Sequence, residues 1–136
     1  MLHRFVFHYH PKQAWAQRLH FIMHGVHHDY PSDAGRLVMP PAGSIPIVLL
    51  MYALFDWLLP AHTEVFMAGM LSGYLVYDMI HYALHHASFR SGWLKTLKQH
   101  HMRHHYSDPN NGFGVSSRLW DSIMGTRFES ARKPGA

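Results

Sequence analysis

VFMAGMLSGYLVYDMIHYALHH, residues 65–86, is apolar over its first sixteen positions except for Ser72 and Asp78, then runs without a proline into His81, His85 and His86. Read as one helix rising 1.5 Å per residue it is about 33 Å long, enough to cross a bilayer core and emerge carrying imidazoles. This stretch predicts that one element joins a membrane to a metal site.

The segment before it has the same character. Residues 37–59, LVMPPAGSIPIVLLMYALFDWLL, are apolar apart from Asp56, with Pro40, Pro41 and Pro46 crowding the start. Its uninterrupted part, from Ser44 to Leu59, would rise only about 24 Å, which suits a short or tilted span. The link from Pro60 to Glu64 allows only a tight reversal and carries no Lys or Arg, whereas Arg36 precedes the pair and Arg90 follows it. The expectation is therefore one transmembrane hairpin with both ends on the cytoplasmic side, of a bacterial inner membrane or the endoplasmic reticulum. Gly69 and Gly73 form a small-xxx-small pair where a neighbouring helix would pack.

Outside the hairpin the pattern predicts short helices over Leu2 to Tyr9, Ala14 to His28 and Trp93 to His105. His10-Pro11, Tyr30-Pro31 and Ser107-Asp108-Pro109 mark the breaks between them. Residues 112–126, GFGVSSRLWDSIMGT, are apolar enough to pack back on the domain, and residues 129–136 read as a disordered tail. The whole chain, 1–136, reads as a single all-α domain.

Composition narrows the chemistry. Fifteen histidines outnumber the twelve Lys and Arg and stand against only eight carboxylates, which points to metal ligation. The chain has no cysteine, so thiol catalysis, zinc fingers, iron–sulfur clusters and disulfides are excluded. The formal charge of +4 is not arranged as a stripe for nucleic acid, and the basic residues flank the apolar runs instead.

The histidines form four groups: His3 and His8; His24, His27 and His28; His81 and His85; His101, His104 and His105. Residues three or four apart share one helix face at a spacing of about 5–6 Å, which two imidazoles can span to hold one ion. In the two H-x-x-H-H sets the adjacent histidines lie about 100° apart around an α-helix, so each neighbour can reach a different ion. A dinuclear site follows. His3 and His8 would diverge by about 140° on an α-helix and gain credibility only from the other groups. His62 reads as a solvated bystander, His10, His86 and His100 as surface or supporting residues, and His20 as supporting. Asp29, Asp33, Asp78 and Asp121 are the carboxylates able to orient a ligand imidazole through its distal N–H, Asp78 foremost because a charge in a membrane helix is costly. Trp93, Tyr106 and Trp120 suit the membrane interface. An all-imidazole site suits Fe, Zn or Cu and excludes Mg and Ca. At a membrane surface it would act on a lipid held there, and attack on an unactivated C–H bond requires a redox metal and oxygen.

His3-Arg-Phe-Val-Phe-His8, the run HGVHHDYPSD over residues 24–33, RLVMPP over 36–41, YDMIHYALHH over 77–86, HMRHHY over 101–106 and GFGV over 112–115 closely resemble the fatty acid 2-hydroxylase branch of the fatty acid hydroxylase/sterol desaturase superfamily. The resemblance implies an integral membrane helical protein with a cytosolic histidine-rich cap, a di-iron monooxygenase that hydroxylates C2 of a fatty acyl chain in a sphingolipid. It implies ten ligands: His3, His8, His24, His27, His28, His81, His85, His101, His104 and His105. It further implies two metal ions, iron in the active form and zinc as a possible occupant after purification, with O2 as co-substrate. Electrons would come from a separate cytochrome b5 or ferredoxin-like donor. Many members carry a further transmembrane hairpin before the first histidine, so the resemblance implies that here this hairpin is lacking or belongs to another chain. A sterol or carotenoid hydroxylase on the same scaffold is one alternative. A non-catalytic metal-binding membrane protein, or a truncated remnant, is the other.

Overall fold

The computed structural model describes residues 3–128, and the tail expected to be disordered lies outside the described residues. Their regular structure is all helical, with no strand among them. A π-helical turn, His3–Phe7, is followed by α1 (Ala14–His20), a second π-helical turn (Phe21–Gly25) and α2 (Val26–Asp29). A 3-10 turn (Ala34–Arg36) leads into α3 (Pro41–Leu58), α4 (Thr63–His86), α5 (Gly92–Tyr106) and α6 (Leu119–Ile123).

The breaks fall where the sequence placed them, each for a local reason. Asp33 caps the 3-10 turn by accepting the Gly35 N–H at 2.9 Å and pairs with Arg36 at 2.9 Å. Pro41 occupies the first turn of α3, where its missing N–H has no helical partner in any case. The helix therefore starts before the expected Ser44, and Pro46 sits inside it at the loss of one ladder bond, to the Ala42 carbonyl. At the far end, Thr63 Oγ1–H reaches the Leu59 carbonyl at 3.3 Å and Tyr52 donates to Glu64 at 3.1 Å. These bonds stitch the α3–α4 reversal, with Phe55 and Phe66 packed at 5.6 Å between ring centroids. Lys98 from α5 donates to the His85 and Ala87 carbonyls at 3.3 and 2.8 Å, which satisfies the C-terminal end of α4.

Two sequence expectations need correction. The π-helical turn at His3–Phe7 replaces the α-helix expected there, and an i→i+5 ladder brings the fifth residue nearly over the first. The 140° divergence of His3 and His8 therefore narrows, and their ring centroids lie 5.0 Å apart. Gly69 and Gly73 pack against no helix among the described residues, since a methyl group built on either would meet nothing within 4 Å.

Among the described residues one helix, Ala34–Leu58, is long and apolar enough to cross a membrane by length and composition. α4, with 24 residues, falls outside that class, because Glu64, Asp78 and three terminal histidines dilute its apolar run. α3 buries no residue at all, and large apolar side chains such as Leu49, Leu50, Trp57, Leu75 and Val76 lie outward on the α3–α4 pair.

The apolar core is small: Leu84, Leu97 and Val115, flanked by Tyr77, Ile80 and Phe89, bind α4 to α5 and to the chain after α5. Most of the other buried side chains are imidazoles, His3, His24, His27, His81, His100, His101 and His104 among them. Leu84 is fully buried whereas Leu75 is 61% exposed. Leu84→Ala should therefore lower unfolding free energy in detergent micelles by about 2–5 kcal/mol. Leu75→Ala should have less than about a quarter of that effect, and equal losses would contradict this packing.

Candidate metal centre

The fold gathers imidazoles from both π-helical turns, α2, α4 and α5, with His8 just beyond the first turn. The donor atoms of His27, His81, His85, His101 and His105 all lie within 4.8 Å of one another, as do those of His3, His8, His28 and His104. His24 stands beside the second group, with its Nε2 3.1 Å from that of His3 and 3.0 Å from that of His28. All ten histidines of the sequence reading are thus brought together, in two groups. The adjacent pairs divide between them: His27 and His105 face one group, His28 and His104 the other. His28 and His105 form the shared wall, their rings stacked at 4.3 Å.

Helix geometry explains the placement. α4 presents His81 and His85 one turn apart, and α5 presents His101 and His105 on one face with His104 rotated away. The π-helical turn at Phe21–Gly25 shifts the rotation of the first helix by one residue, which separates His20 from the cluster and aims His24, His27 and His28 into it. His20 instead donates through Nε2 to the Phe7 carbonyl at 2.6 Å, next to His8.

The hydrogen bonds fix two tautomers. His3 Nδ1 lies 2.7 Å from the Phe113 carbonyl and His104 Nδ1 lies 2.7 Å from that of Asn111. A carbonyl only accepts, so both Nδ1 atoms carry the proton and both Nε2 lone pairs point into the second group. In the first group both ring nitrogens of His27, Nε2 of His81 and Nδ1 of His101 and His105 are buried without a partner. An orphaned buried polar atom costs about 1–3 kcal/mol, which a cation taking the lone pairs of His27 and His81 would relieve; Nδ1 of His101 and of His105 belongs to a ring whose Nε2 already faces the group. A soft or borderline cation in each group fits this donor set: neutral imidazoles, inward lone pairs and no carboxylate among them.

Aromatic side chains shield the second group. Phe7 stacks on His24 at 5.0 Å, and Phe113 stands edge-on to His3, His8 and His104 at 6.1, 5.1 and 5.2 Å. Burial is the chief reason that His3, His8 and His28 are pushed down to about 3 and His27 to about 4, with neighbouring imidazoles adding to the shift. His24, His101, His104 and His105 are lowered by the same main cause. The groups are therefore neutral ligands at pH 7.

The expected orienting carboxylates behave differently. Asp33 caps a turn, Asp29 is exposed at the end of α2, and Asp78 makes no hydrogen bond to an imidazole among the described residues. Asp121 is buried but bonds to His100, which belongs to neither group. His62 and His10 are exposed, as expected, and so are Trp93, Tyr106 and Trp120. The carbonyls of Asn111 and Phe113 were missed altogether, because a main-chain acceptor has no signature in sequence.

Fold and site define an all-helical protein built around a double polyhistidine cage. The sequence profile of the fatty acid hydroxylase family matches residues 1–126, and the chain belongs to that family. It is 40% identical over 126 residues to a dihydroceramide fatty acyl 2-hydroxylase of Arabidopsis thaliana, covering 92% of this chain and 53% of that relative. With the human fatty acid 2-hydroxylase it shares 42% identity over 130 residues, covering 93% of this chain and 35% of the relative. The solved structure of full-length scs7p, in which only the hydroxylase domain is visible, superposes with a TM-score of 0.85 at 40% identity, over 94% of this chain and 50% of that one. The chain thus spans about half or less of the length of these relatives.

The depressed imidazoles set a pH dependence. Below pH 6.5 the unfolded chain takes up protons that the folded cage refuses, so stability of the metal-free protein is complete above 6.5 and falls as pH drops toward 4. Each imidazole held neutral contributes a slope of up to about 1.4 kcal/mol per pH unit. The thermal unfolding midpoint of chelator-stripped protein should fall between pH 7 and 5. A midpoint that stays flat over that range would contradict neutral burial of the cage.

Proposed function

We propose that this chain forms the catalytic core of a membrane-bound di-metal oxygenase that hydroxylates C2 of a fatty acyl chain carried by a sphingolipid or related lipid. The observation that carries the reading is the division of ten imidazoles into two groups at His27/His28 and His104/His105. One group is expected to hold each ion, with His24 completing the second.

Donor number supports metals with more than four ligands. Five imidazoles converge in the first group, and four with His24 alongside in the second. That exceeds the four ligands of a tetrahedral structural zinc and suits a redox-capable five- or six-coordinate centre. Iron, when bound, supplies the oxidation-state change that lets oxygen attack an unactivated C–H bond, which no side chain here can do.

The chain's own residues prepare the site. The Asn111 and Phe113 carbonyls hold His104 and His3 in the Nδ1–H form, and Phe7 and Phe113 keep water from the second group. One oxygen atom goes to C2, and the other leaves as water after taking two electrons and two protons. A cytochrome b5 or ferredoxin-like donor supplies those electrons on this reading, which rests here on family likeness. The outward apolar surface of α3 and α4 suits a hairpin in lipid, and Arg36 and Arg90 at its open end favour the cytoplasmic side for the cage. An acyl chain already in the bilayer then needs no extraction, which would cost about 0.8 kcal/mol per methylene. The names of the Arabidopsis relatives, dihydroceramide fatty acyl 2-hydroxylases, support the lipid class.

Expression in a host lacking 2-hydroxylated lipids, followed by lipid mass spectrometry, tests the reading. New 2-hydroxyacyl lipids are expected, and His104→Ala should reduce them by at least about a hundredfold while the protein still sediments with membranes. Hydroxylated sterols in their place, or iron-loaded protein that forms no hydroxylated lipid when given a reductant and donor, would contradict it.

A further inference from the structure

Asp121 of α6 is 1% exposed and accepts four hydrogen bonds. Its Oδ1 takes the Phe113 N–H and the Thr126 hydroxyl, both at 2.9 Å; its Oδ2 takes the Gly114 N–H at 3.0 Å and His100 Nε2–H at 2.9 Å. The Gly114 N–H and the Phe113 carbonyl belong to one peptide group. That carbonyl is the acceptor for His3 Nδ1–H at 2.7 Å. A continuous path therefore runs from imidazole to carbonyl, through the amide, to a buried carboxylate.

The same loop builds a second path. The Asn111 carbonyl accepts His104 Nδ1–H at 2.7 Å, and the N–H of the same peptide group, on Gly112, donates to the Thr126 carbonyl at 2.8 Å. Gly112 has φ +72, and a side chain there would collide with the Phe128 ring, so glycine is needed for this approach. A methyl group on Gly114 would press on Asp121 Oδ2 and on the Ser117 carbonyl. Of the two paths only that from His3 ends on a formal charge.

We propose that Asp121 is a positioning residue for the second imidazole group, acting on His3 through the Phe113–Gly114 peptide group. A carboxylate on the amide N–H draws the peptide toward its charge-separated resonance form and makes its carbonyl a stronger acceptor. The stronger acceptor holds His3 in the Nδ1–H tautomer and raises the donor strength of Nε2. In metal sites a carboxylate commonly plays this part by touching the histidine directly. Here one peptide group stands between them. His100 completes the arrangement by fixing the carboxylate from the side of α5. The inference rests on the metal-site reading above.

The test uses the full chain in detergent and zinc as a diamagnetic probe. Asp121→Asn keeps the shape but removes the charge and turns one acceptor into a donor. Zinc affinity of one of the two sites should fall roughly 10–100-fold, with the other unchanged. Thr126→Val, which strips a bond from Oδ1 but leaves the peptide path, should bind as the unaltered protein does. Phe-Gly occurs once in the sequence, so pairing carbonyl-13C phenylalanine with 15N glycine isolates the Phe113–Gly114 amide by NMR. That amide proton should move downfield by several tenths of a ppm when zinc fills the unaltered protein, a readout that stands even if Asp121→Asn does not fold. Unchanged affinity in a folded Asp121→Asn, or an amide resonance that does not respond to zinc, would overturn the inference. Failure of the unaltered protein to bind a second ion would overturn the dinuclear reading instead.

Discussion

The structure depends on the close approach of imidazoles that stay neutral. Ten of them stand with several ring nitrogens 2.8–3.1 Å apart, a density that protonated rings would not tolerate. Burial keeps the rings uncharged, and main-chain carbonyls hold two of them with their lone pairs inward. The apolar core is too small to explain the fold alone: Leu84, Leu97 and Val115 brace α4 against α5 and the chain after it. On the proposed reading the ions complete this packing, joining segments from His3 to His105 that otherwise share few apolar contacts.

Local sequence made much of this legible. The H-x-x-H-H runs at 24–28 and 101–105 place neighbouring imidazoles on different helix faces, and the structure sends them to different groups. The apolar run, the short reversal at residues 60–64 and the proline breaks each act within a few residues, so composition and spacing found them.

What escaped the sequence depends on backbone winding or on distant partners. The pairing of His3 with His8 looked unfavourable because α-helical rotation was applied to a segment that is π-helical. Asp78 draws attention by its place in an apolar run, yet among the described residues it makes no hydrogen bond to any of the ten imidazoles. Asp121 is named in the sequence only alongside three other carboxylates, because what sets it apart, its hold on the loop behind His3, runs through contacts 7 to 21 residues away in sequence. The glycines at 69 and 73 have the spacing of a packing motif and no neighbour among the described residues, since spacing specifies what a face permits and not what covers it.

Crystallography of the iron-loaded protein with anomalous data at the iron edge tests the central claim most directly. The account predicts two peaks, one about 2.1 Å from the nitrogens of His27, His81, His85, His101 and His105, the other at the same distance from those of His3, His8, His28 and His104 with His24 alongside. A single peak, or one ion bound by both members of an adjacent pair such as His27 and His28, would contradict it.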